Sequence, residues 1–193
     1  MKPTLVAILL SSMVLTCGDA GETDADVSQA PPADPASEAA AEATADSART
    51  DMVDARRVGS GAVFVTATAE GVALEGALIG LPPGEHGFHI HATGSCEPPA
   101  FESAGDHLGA DAGPHGFDIP GGPHAGDLRN LTVAEDSTAT VDQSNELVSL
   151  RGGNATLLDD DGSALVIHAA PDDYATQPSG GSGDRIACGV IGG

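Results

Sequence analysis

The sequence predicts an all-β domain over residues 59–193, a Greek-key β-barrel or sandwich of antiparallel strands interrupted by two long loops. Three observations carry this. Short runs rich in Thr, Val and Ile are alternating or apolar throughout, and no 3.6-residue periodicity is sustained. Turn signals such as "PPGE" and "DDDG" separate the runs, and 24 of the 26 glycines lie after position 58. The five aromatic residues (Phe64, Phe88, Phe101, Phe117 and Tyr174) also lie there, so this segment alone is long enough to close a hydrophobic core.

The elements follow in order. "AVFVTATA" (62–69) alternates, as a half-buried strand should, and "GVALEGALIG" (71–80) follows across a turn. "LPPGEHGFHIHA" (81–92) reads as a further strand entered through a Pro-Pro-Gly turn. "DLRNLTVAED" (127–136), "STATVD" (137–142), "ELVSLRG" (146–152), "SALVIHAA" (163–170) and "RIACGVIGG" (185–193) complete the set. Two intervals, 93–125 and 170–184, lack strand character, and loops of that length are usually functional or disordered. "DDDG" (159–162) is a turn and not a calcium loop, since Ala170 stands where an EF-hand needs Glu. "NLT" and "NAT" are glycosylation sequons that a bacterial export signal makes irrelevant.

The N-terminal third is of another kind. Lys2 followed by the apolar run Leu5–Leu15 reads as a secretory signal, too short for a membrane span. "VLTC" resembles a bacterial lipobox, which would make residues 1–17 a signal and Cys17 a lipidated mature terminus, although Thr16 stands where Gly, Ala or Ser is usual. The alternative is an ordinary signal cleaved nearby, with Cys17 discarded. Residues 18–58 are rich in Ala, Asp, Glu, Pro, Ser and Thr without aromatics, and are expected to form a disordered acidic tether. About 40 flexible residues reach about 35 Å, enough to hold a domain clear of a membrane. The expected location is therefore the periplasm or cell envelope, with membrane attachment through Cys17.

The formal net charge is -22, which argues against nucleic acid or an anionic membrane surface as partner. Residues 59–193 carry nineteen acidic residues against Arg129, Arg151 and Arg185, with no lysine. The sequence leaves monomer or dimer open.

The chemistry lies in the histidines. On a strand, alternate side chains share a face, so His89 and His91 of "HIH" project together. Two imidazoles so placed suit a metal, or form a chance pair or a proton-sensitive patch. His107, His115, His124 and Asp127 follow in the long glycine-rich loop, and His168 ends the apolar run "ALVIH". Histidine is the commonest metal ligand near neutral pH, and a carboxylate completes tetrahedral zinc sites, so six histidines and an aspartate could serve two ions.

Taken together, these residues resemble copper–zinc superoxide dismutase of the bacterial exported kind. The family pattern appears as Gly87-Phe88-His89-Ile90-His91, Ser103 to His107, His115, His124, Gly126-Asp127-Leu128 and finally "RIACGVIG" (185–192). The resemblance implies copper on His89, His91, His107 and His168, and zinc on His107, His115, His124 and Asp127. His107 would bridge the two ions and take up a proton on the copper side during turnover. It further implies a disulfide between Cys96 and Cys188, stable in an oxidising compartment and contributing at most about 4–5 kcal/mol on a chain-entropy argument. His86 corresponds to a buried hydrogen-bonding histidine beneath the copper ligands, and Asp172 to an aspartate that links a copper histidine to a zinc histidine.

The implied reaction converts superoxide to dioxygen and hydrogen peroxide by alternate reduction and oxidation of copper, with Arg185 aligning the anion. The sequence departs from the animal enzymes at 169–184, which is shorter and has no lysine to steer superoxide. The competing reading is a non-catalytic copper/zinc-binding module. Such relatives typically lose copper ligands or the channel arginine, and this chain keeps them all.

Overall fold

A computed structural model describes residues 46–153 and 155–192. The expected signal with its Cys17 lipobox, the tether as far as residue 45, and Asn154 of the second sequon lie outside the described residues. The strands are β1 Ser47–Asp54, β2 Gly59–Ala67, β3 Val72–Ile79, β4 Gly84–His86, β5 Phe88–His91, β6 Leu131–Val133, β7 Thr138–Asn145, β8 Ala164–His168 and β9 Arg185–Val190. Seven of them form one antiparallel sheet in the order β5-β8-β9-β1-β2-β3-β7, and β4 pairs with β6. Among the described residues the only helical element is a 3₁₀ turn at Glu102–Ala104. The all-β expectation holds.

Alternation builds the core. Val63 and Val65 of β2, Leu74 and Leu78 of β3, and Val141 of β7 point inward, while Phe64, Glu75 and Thr140 point out. The sheet curls so that Phe88, Ile90, Leu165 and Ile167 reach the same core, which Leu131 and Val133 of β6 also join. Burying each such large side chain contributes about 1.5–3 kcal/mol. A smaller cluster of Phe101, Ala104, Ala164, Val166 and Cys188 lies on the other face of β8.

β5 and β8 are therefore buried on both faces. On β5, Phe88 and Ile90 enter the core, and His89 and His91 turn to the opposite side, where the interval 93–125 covers them. That loop is anchored to the free edge of β5: Ile90 donates to the Gly126 carbonyl at 2.8 Å, and Leu108 donates to the Ile90 carbonyl at 2.9 Å. Isolated bridges His89–Asp127 and His91–His107 lie along the same edge.

Two expectations change. The tether was expected to run to residue 58, yet Ser47–Asp54 is a strand paired with both β2 and β9. Ala48, Thr50 and Met52 are buried while Arg49 and Asp51 are exposed, so a period-2 pattern is present, but only one of its buried residues is strongly apolar. The run "ELVSLRG" forms no strand. Val148 and Leu150 plug the end of the core, but Ser149 makes a single bridge to Thr156, and its hydroxyl turns back onto the Gly152 carbonyl.

Candidate metal centre

His89 and His91 stand on β5, His168 at the end of β8, and His107, His115, His124 and Asp127 on the loop docked against them. All seven side chains are buried. The candidate ligand atoms of His89, His91, His107 and His168 lie within 4.8 Å of one another, as do those of His107, His115, His124 and Asp127.

The hydrogen bonds fix the direction in which each ring faces. A carbonyl oxygen only accepts, so a ring nitrogen bonded to one must carry the proton. His91 Nδ1 donates to the Gly105 carbonyl at 2.9 Å, His168 Nδ1 to Gly183 at 3.0 Å, and His124 Nε2 to Gly113 at 3.0 Å. The Asp172 carboxylate accepts from His89 Nε2 at 2.8 Å and from His115 Nε2 at 3.0 Å. The opposite nitrogens, His89 Nδ1, His91 Nε2, His168 Nε2, His115 Nδ1 and His124 Nδ1, are buried lone pairs with no hydrogen-bond partner. His107 is the exception in kind. Its Nδ1 sits 2.8 Å from Asp127 Oδ1, and its Nε2 faces the first set without a partner.

Buried acceptors left unpaired are costly, about 1–3 kcal/mol each, unless something else satisfies them. His115 Nδ1 also lies 3.0 Å from Asp127 Oδ2, so an ion placed there would be shared by a ring nitrogen and a carboxylate. Three nitrogens and one carboxylate are a closed set that suits zinc, and four imidazoles suit copper. The residues present fit both ions. A third grouping, His89, His115 and Asp172, is a hydrogen-bonded link and not a ligand set, since its ring atoms are donors to the carboxylate.

Electrostatics agree with this assignment of protons. Burial pushes the His89 ring down to about 4 and His168 down to about 3, and it also carries His91 well below the ordinary histidine value. These rings are neutral donors of lone pairs near pH 7. Burial alone would raise Asp127, but hydrogen bonds from His107 and the Gly116 N–H outweigh it and hold the carboxylate at about 2. Asp172 likewise stays ionised well below the usual range, its bonds from His89 and His115 overcoming burial. Gly180 lies so close that a methyl group there would overlap Asp172 Oδ1 and crowd His115 Nε2, and its φ of +65° would add strain for any other residue.

Arg185 begins β9 opposite His168. Its guanidinium donates from Nη1 to the Phe101 carbonyl and from Nη2 to the Gly105 carbonyl, both at 2.7 Å. It borders a cavity of about 520 Å³ together with His91, His107, His168 and Asp106. Burial lowers its pKa, and Asp106 and Glu102 act against that shift. The loop supplying both carbonyls is tied to β9 by the Cys96–Cys188 disulfide, as the sequence led us to expect. His86 is buried with Nδ1 2.7 Å from the His168 carbonyl and Nε2 2.8 Å from that of Pro82, so it braces the end of β8 more directly than it braces β5.

Several contributors escape a reading of the sequence. The carbonyls of Gly105, Gly113 and Gly183 orient three rings, and main-chain acceptors leave no trace in side-chain identity. Asn130 and Gln177 bind the main chain at Asp172 and His115. Nothing in their local pattern marks them.

Residues 59–191 match the family model described as copper/zinc superoxide dismutase. A protein of Caulobacter vibrioides named superoxide dismutase [Cu-Zn] is 49% identical over 135 residues, covering 68% of this chain and 78% of that one. The crystal structure of a superoxide dismutase-like protein from Bacillus subtilis superposes with a TM-score of 0.71 at 40% identity, over 74% of this chain and 97% of that one. The copper/zinc superoxide dismutase of Brucella abortus gives 0.62 at 26% identity, over 76% and 99%.

Proposed function

The chain belongs to the copper/zinc superoxide dismutase family, and we propose that it disproportionates superoxide to dioxygen and hydrogen peroxide using one copper and one zinc ion. It is an oxidoreductase. His89, His91, His107 and His168 would hold copper, and His107, His115, His124 and Asp127 would hold zinc. The observation that carries this assignment is the convergence of six unpartnered, buried ring nitrogens, four in the first set and two in the second, with His107 common to both sets through its two nitrogens.

Copper held by His89, His91, His107 and His168 would supply the one-electron exchange with superoxide. The protein does the rest. Arg185, fixed by two carbonyls at the cavity wall, attracts and aligns the anion. His107 Nε2 has no protein partner and so is free to take a proton and pass it to the nascent peroxide. Asp127 Oδ1 lies 2.8 Å from the other nitrogen of the same ring, Nδ1, so through the zinc ion that these two atoms would share the imidazole keeps its orientation while Nε2 exchanges its proton. Asp172 fixes the tautomers of His89 and His115 at once, joining the two halves of the site. A silent metal-binding module is the weaker reading, because the full ligand set, the cavity and the anchored arginine occur together.

Around this domain we place an exported, envelope-bound protein. Residues 1–17 would direct export, Cys17 would carry lipid, and the acidic segment up to residue 45 would serve as tether. A disulfide between Cys96 and Cys188 and the bacterial relatives support export. Mass spectrometry of the mature protein from membranes tests the anchor: an unmodified terminus lacking Cys17 would remove it.

Pulse radiolysis of the full chain loaded with copper and zinc tests the activity. Superoxide decay that is fast and requires copper is expected. Decay at the rate of the metal-free protein, with both ions bound, would leave only a metal-binding module.

A further inference from the structure

Behind the second ligand set, three side chains stack into a strap that ties the two long loops together. The Arg129 guanidinium lies 3.9 Å over the Phe117 ring and 5.1 Å over the Tyr174 ring, and the two rings meet edge to face at 5.6 Å. The Tyr174 hydroxyl accepts the Asn130 N–H at 2.9 Å. The main chain of Tyr174 donates to Asp172 Oδ1 at 2.7 Å and accepts the Asp118 N–H at 3.1 Å. Asn130 completes the joint by exchanging two hydrogen bonds with the main chain of Asp172, each 2.9 Å long.

Tyr174 is held in this place against its own preference. Its φ of +62° is a left-handed conformation that a tyrosine adopts only where its surroundings impose it. The Gly116 backbone packs so closely on the Tyr174 carbonyl that a methyl group at 116 would collide with it. The strap thus touches the chain two residues after His115, at Phe117, and two after Asp127, at Arg129. Through Asn130 and its own N–H it also touches Asp172. None of its contacts uses a metal-ligating atom.

We propose that Tyr174, clamped by Arg129 and Phe117, is a positioning residue that keeps His115, Asp127 and Asp172 in one register and thereby sets how slowly the second ligand set releases its ion. The inference rests on the reading of that set as the zinc site. The first set differs physically. His89, His91 and His168 stand on strands held by ladder hydrogen bonds, so loosening the strap leaves their backbone in place.

The test follows zinc and copper release separately, using the full chain loaded with both ions and chromophoric chelators selective for each. Tyr174→Phe keeps the ring but strands the Asn130 N–H, and zinc release is expected about tenfold faster. Arg129→Gln removes the stacked cation, for an expected acceleration of about fivefold. Copper release accelerates less than zinc release in both variants, because three of the four candidate copper ligands stand on strands. With cobalt(II) in place of zinc, the d–d bands of Tyr174→Phe shift, which a change in global stability alone does not produce. Wild-type zinc release in both variants would overturn the proposal, as would equal acceleration of both ions, which signals general loosening. A wild-type chain that binds copper but takes up no zinc overturns the underlying zinc assignment, and the proposal falls with it.

Discussion

His91 and Arg185 are joined through a single atom, the carbonyl oxygen of Gly105, which accepts from His91 Nδ1 at 2.9 Å and from Arg185 Nη2 at 2.7 Å. The ring that faces the first ligand set and the cation proposed to meet the substrate therefore share one anchor. Arginine can grip Gly105 and Phe101 simultaneously because its guanidinium is a rigid fork, and an ammonium is not. Arg185→Lys, which keeps the charge, is expected to lower kcat/KM about tenfold or more through loss of the charged hydrogen bonds, with copper content unchanged. Pulse radiolysis with metal analysis checks this. A wild-type rate would mean that charge alone suffices.

Asp106 borders the same cavity, is exposed, and acts electrostatically on Arg185. In a chain with a net charge of -22, one more carboxylate at the mouth works against an anionic substrate. Asp106→Asn is expected to raise kcat/KM by about two- to threefold at low salt. The gain should shrink as ionic strength rises and the Debye length falls toward about 8 Å. An identical rate at all salt concentrations would show that the local field of Arg185 already dominates.

Much of this site is legible in the sequence because metal ligation depends on side-chain identity. "HIH" on a strand presents two rings to one face, and the structure places both there. β1 itself was not legible and its residues look like tether, since Arg49, Asp51 and Asp54 mask an alternation whose buried members include Thr50 and Ala48. "ELVSLRG" shows the opposite failure: its apolar positions are buried, but the chain bends and never pairs as a strand. Ring orientation was also out of reach. It depends on which carbonyl lies opposite each nitrogen, and that is a property of how the loops close.

Acid should weaken the metal-free protein before it protonates any exposed carboxylate. Burial lowers His89 to about 4 and His168 to about 3, against an ordinary value of 6.5. The unfolded chain then binds more protons than the folded one below pH 6.5, so stability is fully present above that value and is lost as pH falls toward 3. Asp127, lowered to about 2 from 3.8, adds loss in the same direction at the acid end. The total is on the order of several kcal/mol. Urea denaturation of the metal-free chain from pH 7.5 to 4 checks it: a midpoint independent of pH would mean the rings are solvated when no ion is bound.

Asp172 links the two ligand sets with one carboxylate, at 2.8 Å to His89 and 3.0 Å to His115. In Asp172→Asn one side-chain atom becomes a donor, so at most one of the two ring N–H groups keeps its acceptor. The other ring is then free to exchange tautomers and present the wrong nitrogen. Affinity for the ion on that side should fall about 10–100-fold, the usual effect of losing a partner to a ligating histidine. Competition titrations for copper and zinc would show which half suffers. Unchanged affinity for both would place the orienting force elsewhere, in the strands for His89 and in the Gln177 contacts for His115.

The Cys96–Cys188 disulfide fastens the loop whose Phe101 and Gly105 carbonyls hold Arg185. Its loss therefore acts on stability and on substrate alignment by separate routes. Removing a cross-link spanning 92 residues should destabilise the fold by about 2–5 kcal/mol. The buried Phe101 and Ala104 continue to pack against Val166, so the loop should loosen without detaching. Cys96→Ser is accordingly expected to keep both ions while kcat/KM per bound copper falls, because the guanidinium loses its fixed anchors. Urea denaturation and pulse radiolysis on the same preparation separate the two effects. A destabilised variant with full activity per copper would show that packing around Phe101, and not the disulfide, sets the position of Arg185.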